Sequence, residues 1–215
     1  MNAVFKRSAI SAISLAVLLF AGCTSSTTPA TPASDAAKKP EGPPQIVSAK
    51  TAFWPMYTDA HQWAPDVEVI RITAKEVPGF KNADGKAAMW EAVFGSPTLH
   101  KFRVDTYSIA TVLPEIHRGV SPGFQMAWSG PTRDTMPIDT SAFTVDSDAA
   151  YKTAVADPGV AEFLKKNPTK TVSTLELGNI FKYHTLVWYV VWGDKKLGYA
   201  IGVDATTGKV LKDKK

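Results

Sequence analysis

One pattern of apolar and polar positions occurs twice in the chain, about a hundred residues apart. Its clearer copy is 184–192, where Leu186, Trp188, Val190 and Trp192 alternate with Val187, Tyr189 and Val191. Both alternating sets are apolar, so this strand is expected inside a sheet and covered on its two faces. Trp90, Phe94 and Gly95 align without gaps to Trp188, Trp192 and Gly193, and Leu99 then falls on Leu197. One inserted residue later, Val104-Asp105 meets Val203-Asp204. Upstream, Pro55 and Pro65 match Pro158 and Pro168, while Val69, Ile72 and Ala74 match Val172, Leu175 and Leu177. The shared order of these matches makes them a repeat, which governs any reading of the fold.

Within each copy the periods predict helix followed by three strands. Ser48 is expected to cap a helix over 49–63, interrupted near Pro55. In the second copy Ser147 or Asp148 caps 149–156, and Asp157-Pro158 opens a further short helix to about residue 166. Strands follow at 67–77 and 172–177, at 89–94 and 184–192, and at 101–107 and 199–203. Alternation in the first pair changes phase midway, the mark of a bulge or a twist. In 101–107 the period is two, with Phe102 and Val104 assigned to the core and Lys101, Arg103 and Asp105 to water. Asp84-Gly85 marks a hairpin turn where the second copy has the shorter Gly178-Asn179. The expected fold class is α+β: two tandem helix-strand-strand-strand units, each an antiparallel sheet with helix packed on one face.

Composition adds an address. Lys6 and Arg7 precede an uncharged apolar run, 9–20, shorter than the roughly 20 apolar residues a spanning helix needs. Cys23, the only cysteine, follows Ala21-Gly22. This resembles the lipoprotein box of bacteria, with Phe20 where Leu is usual. The resemblance implies that 1–22 is a removed signal peptide, that Cys23 carries the lipid (palmitate among its chains), and that Cys23 is the link to a membrane. Thr24 in place of Asp implies, for a Gram-negative source, the periplasmic face of the outer membrane. Residues 23–45, rich in Thr, Ser, Pro and Ala, are expected to form a disordered tether. The units then occupy 46–107 and 143–212, joined by a Pro/Gly-rich connection over 108–142. Lys and Arg number 24 against 20 Asp and Glu, and the excess lies largely in the tails. No basic stripe interleaved with aromatics is present, so no nucleic-acid partner is expected.

Candidate chemistry is sparse. His61, His100, His117 and His184 show no metal-ligand spacing, and Asp134, Asp139, Asp146 and Asp148 lack the alternation and terminal Glu of a calcium loop. There is no Gly-x-Ser-x-Gly elbow, and Gly208-Lys209 lacks the remaining residues of a phosphate loop. No catalytic residue, cofactor or metal is therefore assigned. Asp204 can accept from backbone N–H groups two residues on, and Gly208 can take positive φ, so both are read as structural turn residues. In the connection, Phe124-Gln-Met126-Ala-Trp128 is read as an extra strand or an anchor across the sheets. The sharper reading is a partner surface built from Trp128, Trp188 and Trp192.

Trp188-Tyr189, Val203-Asp204-Ala205, Thr207-Gly208-Lys209 and Val210-Leu211, behind a helix that opens Ser-x-x-Ala, resemble the PepSY domain. Residues 46–107 resemble it less, keeping Trp90 and Val104-Asp105 but not the Thr-Gly. The resemblance implies a non-catalytic exported α+β module that binds or modulates a peptidase or another envelope protein. The alternative expectation is a periplasmic enzyme or small-ligand receptor using a groove between the units. His100, His117, His184 and the aspartates would then converge there with shifted pKa values.

Overall fold

Ala49, Ala52, Phe53, Met56 and Ala60 are the buried positions of α1 (Ala49–Trp63), a spacing that places them on one helical stripe. The helix is not interrupted at Pro55. Pro55 and Thr51, whose carbonyl loses its usual donor, are both exposed, so water can take the orphaned acceptor. Ser48 is positioned as the cap, but its hydroxyl meets the Thr51 hydroxyl at 3.2 Å and caps no backbone N–H of the first turn. Ala49 N donates instead to Ser147 Oγ at 2.9 Å and Lys50 N to Asp146 Oδ1 at 3.0 Å. Asp146, rather than Ser147 or Asp148, also caps α2 (Ser147–Val155), and Asp157 caps α3 (Pro158–Lys166).

The computed structural model describes residues 45–194 and 197–211. The expected signal peptide, Cys23 and all of the expected tether but Gln45 lie outside the described residues. The strands are β1 (Glu68–Lys75), β2 (Met89–Ser96), β3 (Lys101–Ser108), β4 (Gly119–Ser121) and β5 (Gln125–Ala127), then β6 (Val172–Ile180), β7 (Thr185–Trp192), β8 (Tyr199–Asp204) and β9 (Val210–Leu211). With the helices they make an α+β fold. Where two sheets were expected there is one, because β1 pairs with β6: the order is β4-β3-β2-β1-β6-β7-β8-β9, with β5 also on β3, and every pairing is antiparallel.

Both halves tie helix to sheet in the same way. Trp90 Nε1 donates to Val47 O at 3.0 Å and Trp188 Nε1 to Val145 O at 2.9 Å, each carbonyl two residues before a helix begins. The two indoles meet edge-on with centroids 6.2 Å apart, inside one core that spans the halves. Register irregularities fall at corresponding places, Val69/Arg71 in β1 and Val172/Thr174 in β6. The third strands correspond differently from the sequence alignment. Trp90 lies opposite Tyr107 and Trp188 opposite Val203, so Ser108, not Asp105, takes the place of Asp204. Likewise Gly178-Asn179 lies within β6, and the chain turns later, through 181–184.

The faces of β3 are the reverse of the expectation. Arg103 and Asp105 point under α1 and are buried, while Phe102 and Val104 pack on the opposite face against Trp128. Arg103 Nη2 donates to Asp105 Oδ2 at 2.6 Å and to Asp59 Oδ2 of α1 at 2.7 Å, and its guanidinium lies 5.0 Å from the Trp63 ring. The alternation was sound, but both faces of this strand are covered. The connection over 108–142 supplies the second cover: β4 and β5 run along the outer edge of β3, and Trp128 lies over Gly95.

Candidate binding cleft

A cleft of about 870 Å³ opens where β1 ends and β6 begins. One wall is the first half: Ala74, Glu76 and Val77, then the loop that returns to β2. Asn82 braces that loop, donating to Lys75 O at 3.0 Å and accepting from Ala88 N at 3.1 Å. Asp84 and Gly85 both have positive φ, the backbone of a primed hairpin turn. Gly85 also abuts α2, where a Cβ would lie 2.4 Å from Ser147 O. The other wall is the second half, with Tyr151, Leu164, Pro168 and 170–175, and Trp192.

The volume falls within the usual range for ligand sites. Tyr151 and Trp192 sit with ring centroids 6.2 Å apart. Burial, helped by the nearby Asp84 carboxylate, pushes the Tyr151 phenol above its usual pKa. At neutral pH it is therefore a hydrogen-bond donor, not a base or nucleophile. Lys81, Lys86 and Lys170 stand on the rim with Glu76 and Asp84. Lys170 pairs with Asp194 at 3.6 Å, so the rim charges balance, and the cleft can bury an apolar group and donate from a phenol.

The residues singled out from sequence are dispersed. Cys23 lies outside the described residues. Trp188 and Trp128 are interior, so they offer no partner surface, and Trp192 shows only 2 % exposure, at the floor of the cleft. Trp128 is held by Ile70, Val93 and Gly95, leaving its Nε1 without an acceptor among the described residues. His61, His100, His117 and His184 are exposed, and none lines the cleft. Among the described residues no three of His, Cys, Asp and Glu are grouped as metal ligands would be. The carboxyls with shifted acidity, Asp66, Asp105, Asp139 and Asp204, do not line the cleft either.

Asp204 Oδ1 accepts from Thr206 N at 2.9 Å and Thr207 N at 2.7 Å, and Gly208 N donates to Asp204 O at 2.8 Å. Burial raises the Asp204 pKa, but these donors outweigh it and hold the carboxyl below its usual range. Gly208 has φ +73, and a Cβ there would meet only Val145 Cγ2 at an ordinary 3.6 Å. A Gly208→Ala substitution therefore tests backbone conformation without a clash. It is expected to lower stability by about 1–2 kcal/mol in urea unfolding.

Tyr151, Asn82 and the rim lysines were not identifiable as a site in the sequence, because they converge only once β1 and β6 adjoin. The Asp84-Gly85 turn and Pro168 were its only visible markers. No protein-family model matches the sequence, and no curated protein is similar to it. Among solved structures, a candidate lipoprotein of Clostridium difficile 630 is 14% identical, with a TM-score of 0.46, covering 73% of this chain and 90% of its own. That likeness is too distant to transfer a function. Among the described residues, no helix is long and apolar enough to cross a membrane.

Proposed function

We propose that this is a lipid-anchored protein of the bacterial cell envelope that binds a partner without catalysing its conversion. Its two halves are PepSY-like units fused edge to edge into one sheet, and the partner is an envelope peptidase or another envelope protein. The observation that carries the binding reading is the cleft itself, lined from both halves by apolar, phenolic and lysine side chains. The repeated Trp-to-Val anchoring supports the tandem reading, because one helix-to-sheet joint recurs at the position each unit predicts. The small-ligand alternative shares the same place, since a cleft of this size also suits a compact molecule.

Two measurements test the proposal. A Cys23→Ala variant is expected to leave the membrane fraction, and retention there would remove the anchor. A photocrosslinking residue at Ser173, on the cleft wall, is expected to trap one envelope protein in cells. Turnover of a peptide or ester by the purified chain, with no trapped partner, would replace the binding reading with an enzymatic one.

A further inference from the structure

The ladder joining β1 to β6 has three residue pairs, Arg71–Gly178, Ile72–Leu177 and Thr73–Glu176, and beyond them the strands part at each end. At one end the chain fills the gap itself. Ile138 N donates to Val69 O at 2.6 Å, Asn179 Nδ2 donates to Pro137 O, and the Ile138 side chain is buried. At the other end lies the cleft, where 74–77 face 172–175. The two gaps correspond, since each adjoins the start of a strand with the same irregularity, Val69/Arg71 or Val172/Thr174. Among the described residues no backbone hydrogen bond crosses the cleft from 74–77 to 172–175.

We propose that the cleft binds one extended peptide segment, laid between the end of β1 and the start of β6 with an apolar side chain on Ala74, Leu175 and Trp192. The proposal rests on the binding reading above and supplies its ligand class. A parted pair of strands offers backbone donors and acceptors to any extended chain, and side-chain pockets then choose among chains. The occupied gap shows what fits: a short segment, Pro137-Ile138-Asp139, whose backbone bonds to the strand and whose isoleucine is buried. At the open gap Lys81 and Lys86 stand with Glu76 and Asp84, and Lys170 pairs with Asp194 at 3.6 Å, so the rim charges balance and the apolar side chain carries the selection.

The probe is a peptide of residues 134–142 of this chain with blocked ends, titrated into the full-length protein. Saturable binding is expected, with slowed hydrogen exchange at the amides of 74–77 and 172–175. Ile138→Asp in the peptide, or Ala74→Phe in the protein, is expected to weaken binding about tenfold or more. Should Ala74→Phe fail to fold, Lys86→Glu at the rim provides a gentler variant, expected to weaken binding with its unfolding midpoint unchanged. No saturable binding, or binding that leaves those amides unprotected, would overturn the inference. Crosslinking at Ser173 separates the two readings. A trapped envelope partner that persists while the peptide fails to bind leaves the binding function standing and sinks only the added strand.

Discussion

An Arg103→Ala variant is expected to lose about 3–5 kcal/mol at neutral pH, the usual cost of removing one partner of a buried ion pair. The Asp105 side chain has no solvent exposure, and Arg103 supplies its charged partner. Burial already pushes the Asp105 pKa up, with Arg103 pulling it back through its hydrogen bond and its charge. Without the guanidinium the pKa rises further. A folded-state pKa above the unfolded value means the folded chain binds the proton more tightly, so stability falls as pH rises from about 4 through the folded pKa. The deficit of Arg103→Ala should consequently be largest at neutral pH and shrink in acid as Asp105 protonates. Chemical denaturation at pH 7 and pH 4.5 reads both quantities. An equal deficit at the two values would mean that Asp105 is not the residue left stranded. The paired variant Arg103→Met with Asp105→Leu should recover most of the loss, because an apolar pair of similar volume needs no compensation for desolvation.

Trp188→Ala should be comparably damaging. The indole is fully buried, donates to Val145 O, and meets Trp90 and Phe143 with centroids 6.2 and 5.8 Å away. Truncating a buried aromatic costs about 3–5 kcal/mol. Trp188→Phe keeps most of the ring but leaves the Val145 carbonyl without its donor, a loss of about 1–3 kcal/mol. Urea unfolding should rank the variants in that order, and equal losses would show that the hydrogen bond contributes little beside the packing. Trp90→Phe is expected to match Trp188→Phe, since Val47 O is held in the same manner.

How much of this was legible follows from what kind of order each feature needs. The strands β7 and β8 and the caps of α3 were readable because alternation and an Asp-Pro pair act within a few residues. The fate of Arg103 and Asp105 was not. Alternation says which residues share a face but not which face is core, and Trp128, some 25 residues on, covers the one taken for the interior. Joining two expected sheets into one depended on the β1–β6 ladder, an interaction between strands about a hundred residues apart with no local signature. The cleft was hidden for the same reason. Its position between the halves could be anticipated, but its lining could not, because the histidines that draw attention in the sequence are all at the surface.

The outer strands of the sheet have a bearing on crowding. Two residues form β9 at one side, and three each form β4 and β5 at the other. A long sheet with long, straight borders is a template for joining further copies, and borders this brief blunt that tendency. Copies held side by side on a membrane by the proposed anchor would meet at high local concentration for long periods. Such borders let them remain separate, so that the interior seam between β1 and β6, rather than the periphery, is where a foreign backbone can join the sheet.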